Sequence, residues 1–276
     1  MSERRLGPLL TQAICTQFRA ALSQGASSVE CSLNLQRSVD TVGLSAGGFD
    51  WQHQHYPFIE HSKDRTVYYW TGASFAPAAR FGGSLIKLVP TQWGAPTFEI
   101  DGIKMLPSER ISPFADAQQK VAMIEPRGKA ILDTCGGLGY FGAWCLAGQA
   151  RRIVSYEKNS DVIWLRSLNP WSPAPAAALT LIEGDVRHGI TSIASSSINA
   201  VLHDPPRFGI AGELYSLDFY LQLARVLRRR GKMFHYTGTP NKLSSGRDLP
   251  VEVATRLRRA GFSTRFTGDG VLATKD

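Results

Sequence analysis

Ile131-Leu132-Asp133-Thr134-Cys135-Gly136-Gly137-Leu138-Gly139-Tyr140-Phe141-Gly142 is the stretch on which the reading of this chain turns. Ile131 and Leu132 run into the carboxylate of Asp133, a tight glycine turn follows, and a helix begins. Glycines suit the turn because the backbone must reverse sharply and lie against a ligand with no Cβ in the way. The helix start also directs backbone N–H groups, and the positive end of its dipole, at whatever binds. Gly137, Gly139 and Gly142 satisfy G-x-G-x-x-G, the dinucleotide fingerprint. Taken alone, the trio leaves both a ligand cradle and a structural turn open.

Outward from this turn, short apolar strands alternate with helical stretches. Strands are predicted over residues 130–133, 152–156, 179–182, 198–203 and 233–236. Helices are predicted over 114–124, 140–148, 160–168 and 217–227. Such alternation predicts an α/β domain, a mostly parallel sheet with helices on both faces. The chain closes with residues 263–267, the turn Gly268-Asp269-Gly270, and residues 271–274, an antiparallel hairpin. Before Pro113 the texture is β-like, with runs at 28–35, 66–70 and 84–89 and one helical stretch at 9–22. Residues 97–100 and 103–105 flank an Asp101-Gly102 hairpin turn. Two domains are expected, a β-rich N-terminal region over 1–112 and the α/β domain over 113–276. A parallel sheet closed by an antiparallel hairpin resembles the Rossmann-like fold of class I methyltransferases.

Asp133 separates the readings of the glycine turn. A pyrophosphate needs no carboxylate there and would be repelled by one. An acid at that strand end resembles methyltransferase motif I, in which it approaches the methionine amine of the cofactor. The next strand ends in Tyr156-Glu157, and a carboxylate there can accept both ribose hydroxyls, in NAD and S-adenosylmethionine sites alike. Glu183-Gly184-Asp185 follows the third strand. The resemblance gives Asp185 the adenine amino group, although Gly-Asp is also plain turn chemistry. Cys135 in the turn and Lys158 beside Glu157 complete the candidate cofactor set, with Gly137 and Gly139. The expected cofactor is S-adenosyl-L-methionine.

The fourth strand runs into His203-Asp204-Pro205-Pro206-Arg207-Phe208. Proline has no N–H, so neighbouring carbonyls stay available as acceptors. A carboxylate beside such a carbonyl makes a pair of acceptors for an amino group. The segment resembles the Asp/Asn-Pro-Pro-aromatic motif of methyltransferases that act on nitrogen, in which the aromatic ring stacks on the acceptor. Arg207 stands at the aromatic position here and Phe208 one later. The Asp-Pro-Pro-basic-Phe form also resembles carbon-methylating RNA enzymes. Those use a cysteine nucleophile, and no cysteine follows Cys145. Asp204, Pro205, Pro206, His203 and Phe208 are the candidate catalytic residues, and nitrogen is the preferred acceptor atom. An Asp-Pro-Pro turn of purely structural purpose is the alternative.

His203 and His235 lie near the C-terminal ends of their strands, where ligands of α/β sheets bind. Either imidazole can take the proton a methylated amine must shed, or serve as a hydrogen-bonded strand-end histidine. His53, His55 and His61 fall in a loop-like aromatic stretch and are read as solvated. No metal is expected. Cys15, Cys31, Cys135 and Cys145 have no metal or redox spacing and read as reduced thiols.

The composition is that of a globular chain, with 276 residues, 43% hydrophobic and 20% charged. No apolar run is long enough to span a bilayer, and residues 1–8 carry no signal-peptide pattern. A cytoplasmic protein with no membrane partner is expected. The formal net charge is +8. Residues 225–265 carry 11 basic and 2 acidic residues, so the excess sits in one segment. A localised basic patch can attract phosphate-bearing partners. In the expected fold, however, residues 228–230 and Arg256, Arg258 and Arg259 precede strands, at the edge opposite the cofactor. A solvated helix-end cluster favoured by the dipole is the preferred reading.

With these residues in hand, the chain resembles a group of archaeal and bacterial methyltransferases related in fold to spermidine and spermine synthases. The matching segments are residues 97–105, Asp116-Ala117 with Lys120-Val121, 133–139, 156–158, 169–172, 203–208 and 234–238. By that analogy Asp116 and Lys120 reach the cofactor from the helix before the sheet. The resemblance implies methyl transfer to RNA or a small metabolite, with a homodimer as one expected assembly. Aminopropyl transfer to a polyamine, as in spermidine and spermine synthases, is the second expectation. A nucleic-acid-binding module with a relic pocket is the third, and the intact acidic triplet argues against it.

Overall fold

The computed structural model describes residues 7–238 and 248–276. Positions 1–6 are part of the N-terminal stretch 1–8 read above, and Lys242 and Arg247 belong to the charged segment. All of these lie outside the described residues. The chain forms two compact units. One is the chain up to Ala115 with Trp164–Ser172, and the other is Asp116–Ile163 with Pro173–Asp276. Among the described residues no helix is long and apolar enough to cross a membrane.

The first unit is β-rich, as expected. Its helix Gln12–Ser23 starts where the Thr11 hydroxyl accepts from the Ile14 N–H. The residues just before it do not join the helix: Leu9–Leu10 pairs as a short strand with Tyr68–Trp70. A meander of Ser28–Cys31, Asp40–Ser45, Gly48–Trp51 and Gln54–Pro57 makes a four-stranded sheet. The stretch around His53 and His55 is therefore a hairpin and not a loop. Gln52 and His53 both take left-handed backbone at its turn, a conformation that no Gly or Asn announces. His55 lies across the strand pair from Asp50, 2.9 Å away. The Asp101-Gly102 turn joins Thr97–Ile100 to Ile103–Lys104 as an antiparallel pair. Phe18, Phe49, Tyr56 and Trp51 fill the core against Leu33, Val42 and Leu44. Trp164 packs edge-on to Tyr69 and under the guanidinium of Arg80.

The second unit is built on a seven-stranded sheet. Its order is Leu179–Glu183, Arg152–Glu157, Ala130–Asp133, Ile198–His203, Leu227–Tyr236, Gly270–Lys275 and Phe262–Thr267. The first five strands are parallel, and the last two form the antiparallel hairpin. This is the Rossmann-like sheet expected of the class I methyltransferase fold. The central strands are apolar along their length because both faces are covered. Ile131, Leu132, Val201 and Leu202 are almost wholly buried. On one face, Phe219, Tyr220, Leu223 and Val226 of helix Leu217–Val226 join Val253, Ala254 and Leu257 of helix Leu249–Arg259 in the core. The second of these helices was not anticipated. Its signal was present in the Asp248 cap and in Pro250 within its first turn.

Candidate active site

The parallel strands end at one edge of the sheet, and every candidate side chain from Asp133 to Phe208 sits in the unit that this sheet organises. The glycine turn is stitched to the strands on both sides of it. Gly136 N–H donates to the Tyr156 carbonyl at 2.7 Å, and Thr134 N–H donates to the Leu202 carbonyl at 3.0 Å. Gly137 and Gly139 have φ of +49° and +84°, left-handed backbone that a side chain would strain. Helix Tyr140–Ala147 starts directly after Gly139, with no side-chain cap.

Three acids arrive at this edge from neighbouring strands. Asp133 is fully buried, and its Oδ2 accepts from the Ser155 hydroxyl on the adjacent strand at 2.8 Å. Glu157 is half-buried; Oε2 accepts from Gly137 N–H at 3.0 Å and Oε1 from Asn159 N–H at 2.9 Å. Asp185 caps the short helix Val186–Gly189 and is paired with Arg187, whose Nη2 lies 2.7 Å from Oδ2. The Arg187 hydrogen bond holds the Asp185 carboxyl below its usual range. Lys158 is exposed. Burial, with Glu157 nearby, holds the Cys135 thiol protonated.

A second cluster centres on Lys120. Its ammonium is almost wholly buried and lies 2.8 Å from Asp116 Oδ2 and 3.6 Å from both Asp204 Oδ2 and Asp269 Oδ2. The same ammonium sits 4.3 Å from the centre of the Tyr236 ring. Asp116 and Lys120 share one face of helix Pro113–Ile124, one turn apart. Asp204 follows the fourth strand, and Asp269 lies in the hairpin turn. Burial pushes the Asp204 carboxyl up, against the pull of Lys120. Burial also raises Asp116. For Lys120, attraction by Asp204, Asp116 and Asp269 outweighs burial, which alone favours the neutral amine, and its pKa rises. The participation of Asp269, Tyr236 and Ser155 was not anticipated, because the partners lie far apart in the chain.

The Pro-Pro segment is held from below. The Tyr215 hydroxyl donates to the Pro206 carbonyl at 3.0 Å, and Phe208 packs edge-on to the Tyr215 ring. Arg207 points into solvent as an exposed residue. His203 and His235 are both fully buried, with ring centres 4.4 Å apart. His203 Nε2 lies 3.0 Å from the Leu214 carbonyl and Nδ1 2.7 Å from the Thr134 hydroxyl. His235 Nδ1 lies 2.7 Å from the Tyr236 carbonyl and Nε2 2.7 Å from the Tyr220 hydroxyl. A carbonyl only accepts, so each ring donates there; burial favours the neutral form of both rings, which leaves the other nitrogen as an acceptor facing the hydroxyl. Burial holds His203 down to about 4. Both ring nitrogens of each histidine thus have partners within the fold.

No family model matches the chain. The uncharacterized protein MJ1233 of Methanocaldococcus jannaschii is 37% identical over 198 residues, 71% of this chain and 68% of that protein. A spermidine synthase bound to the transition-state analogue AdoDATO aligns with a TM-score of 0.59 at 14% identity, over 72% of this chain and 73% of that one. Spermidine synthase from Thermotoga maritima aligns with a TM-score of 0.57 at 16% identity, over 72% of each chain. MNMC2 from Aquifex aeolicus aligns with a TM-score of 0.51 at 19% identity, over 71% of each chain. At these identities the structural likeness is one of fold.

Proposed function

This chain belongs to the family of the M. jannaschii protein MJ1233 and has the fold that spermidine synthases share with class I methyltransferases; on that premise we propose that it is an S-adenosylmethionine-dependent methyltransferase. The observation that carries this reading is the Glu157–Gly137 hydrogen bond beside the buried Asp133 carboxylate. It sets two acceptors against a left-handed glycine turn, one for an amine and one for a vicinal diol. Asp133, Glu157, Asp185 and the glycine turn are the residues that hold S-adenosylmethionine, which supplies an electrophilic methyl group when bound. Asp185 first has to share its carboxylate with Arg187.

The acceptor is a nitrogen. Asp204, fixed by Lys120, accepts a hydrogen bond from the amine and so aims its lone pair. The proton shed by the methylated amine goes to Asp204, whose basicity burial raises. Tyr215 and Phe208 hold the Pro205-Pro206 backbone rigid around that acid. His203 and His235 support the strand ends and take no proton.

One observation favours aminopropyl transfer as a second reading: three carboxylates already surround an ammonium, as a polyamine site requires. That ammonium is the chain's own Lys120, which satisfies those acids internally, so methyl transfer stays ahead. Calorimetric titration with S-adenosylmethionine, its decarboxylated form and NAD tests the choice. Tighter binding of the intact cofactor is expected. Preference for the decarboxylated form moves the assignment to aminopropyl transfer, and binding of NAD alone removes both.

A further inference from the structure

The N-terminal edge of the seven-stranded sheet, opposite Asp133 and Asp204, gathers arginines from loops well separated in sequence. Arg151 and Arg152 stand beside Lys129, to whose carbonyl both backbone N–H groups donate. Lys129 and Lys232 share the Glu125 carboxylate. Lys275 donates to the Leu227 carbonyl at 2.7 Å, which brings the hairpin's end to the start of residues 228–230. Arg258 and Arg259 end the helix that leads into the same hairpin. Residues 228–230, Arg151, Arg152, Arg258 and Arg259 are all exposed. In sequence, Arg151 and Arg152 fall in a stretch without excess charge; only the fold adds them to this edge.

The arginines at 228–230 are extruded from the sheet. Leu227 pairs with Ile198 and Lys232 with Ala200, so residues 228–231 all stand opposite Asn199. Gly231 permits this because a Cβ there would lie 2.7 Å from the Arg228 carbonyl. Arg228 Nε donates to the Ser196 carbonyl at 3.1 Å, and Arg230 holds left-handed backbone at φ +60°. A left-handed arginine costs about 1 kcal/mol that glycine would not. Helix dipoles account for Arg258 and Arg259 at a helix end. They do not account for a strained triple-arginine bulge at a strand start.

We infer that this arginine edge is a docking surface for the phosphate backbone of RNA. Guanidinium groups fit phosphate through paired N–H donors, and arginine predominates over lysine here. Among the described residues these arginines stand on a strand bulge, a loop and a helix end, not along one face of a helix or ribbon of the kind that enters a DNA major groove. Among the described residues the exposed large apolar side chains of this unit, Ile210, Leu221, Val251 and Phe266, lie away from these arginines, which favours a phosphate backbone over a lipid surface as the partner. The inference does not depend on the cofactor or on methyl transfer.

The test is fluorescence anisotropy of the full chain with a labelled RNA hairpin over a salt series. Affinity is expected to fall linearly with log salt. The Arg228→Glu, Arg229→Glu, Arg230→Glu variant should lose on the order of a hundredfold in affinity at physiological salt, with a salt slope smaller by about one per lost contact. Lys104→Glu, an exposed charge of the first unit, should bind as the wild type does. Arg230→Gly relieves the left-handed strain and should bind RNA more weakly without a lower melting temperature, which separates binding from folding. RNA binding that the triple variant leaves intact, absence of salt-dependent binding, or preference for duplex DNA or phosphatidylserine vesicles overturns the assignment.

Discussion

Asp204 Oδ2 lies 3.6 Å from the buried ammonium of Lys120, which Asp116 and Asp269 approach from two other elements. One cation thus holds three carboxylates at the mouth of the sheet. Removing one partner from a buried pair leaves charge uncompensated and costs about 3–5 kcal/mol. Lys120→Met should destabilise the chain by that order in urea unfolding. The double variant Lys120→Met, Asp116→Asn should recover part of the loss. Equal stability of Lys120→Met and wild type would mean that the cluster is not held together electrostatically.

Binding and chemistry should separate between two acids. Asp133→Ala should damage S-adenosylmethionine binding. Ser155→Ala, which removes the hydroxyl that donates to Asp133, should weaken it roughly tenfold. Asp204→Ala should abolish transfer and leave cofactor binding largely intact. Calorimetry read beside turnover checks the split, and an Asp204 variant with normal turnover removes that residue from the mechanism.

The histidine pair predicts acid sensitivity. The unfolded chain protonates His203 near its ordinary 6.5, whereas the folded chain resists until about 4. Between those values the unfolded state binds more protons, so stability falls as pH drops from 6.5 toward 4. The full loss from His203 is about 3 kcal/mol. His235, held down by burial and by its neighbour His203, adds to it in the same direction. Urea unfolding across that range should show the slope. The variant His203→Asn, His235→Asn should be less stable at neutral pH and lack this contribution.

Gly189 tests how packing reaches the cofactor acids. A Cβ at this position would run into the Tyr156 ring, and the Tyr156 carbonyl holds the Gly136 N–H. Gly189→Ala should destabilise by about 1–3 kcal/mol. It should also weaken cofactor binding through the displaced turn. A destabilised variant with unchanged calorimetric affinity would show that the turn is independent of that contact.

Much of the second unit was legible in residue order. The strand runs to Asp133 and His203 were bounded correctly because parallel strands covered on both faces read as continuous apolar runs. The glycine turn was legible because few other residues tolerate its backbone. Helix Leu249–Arg259 was hidden by its arginines, and the hairpin at Gln52-His53 by left-handed residues of the wrong type. The candidate acids were named by their places at strand ends, which is a local property.

What the sequence determined by itself was therefore the sheet, the turn and the acids that border it, since each depends on neighbours a few residues away. Tertiary structure alone decided the pairings. It joined Asp116, Lys120, Asp204 and Asp269 across some 150 residues, tied up both nitrogens of His203 and His235, and gathered the arginine edge. Such contacts form only when distant segments are packed together, because burial makes a charge or an imidazole nitrogen find a partner wherever in the chain that partner lies.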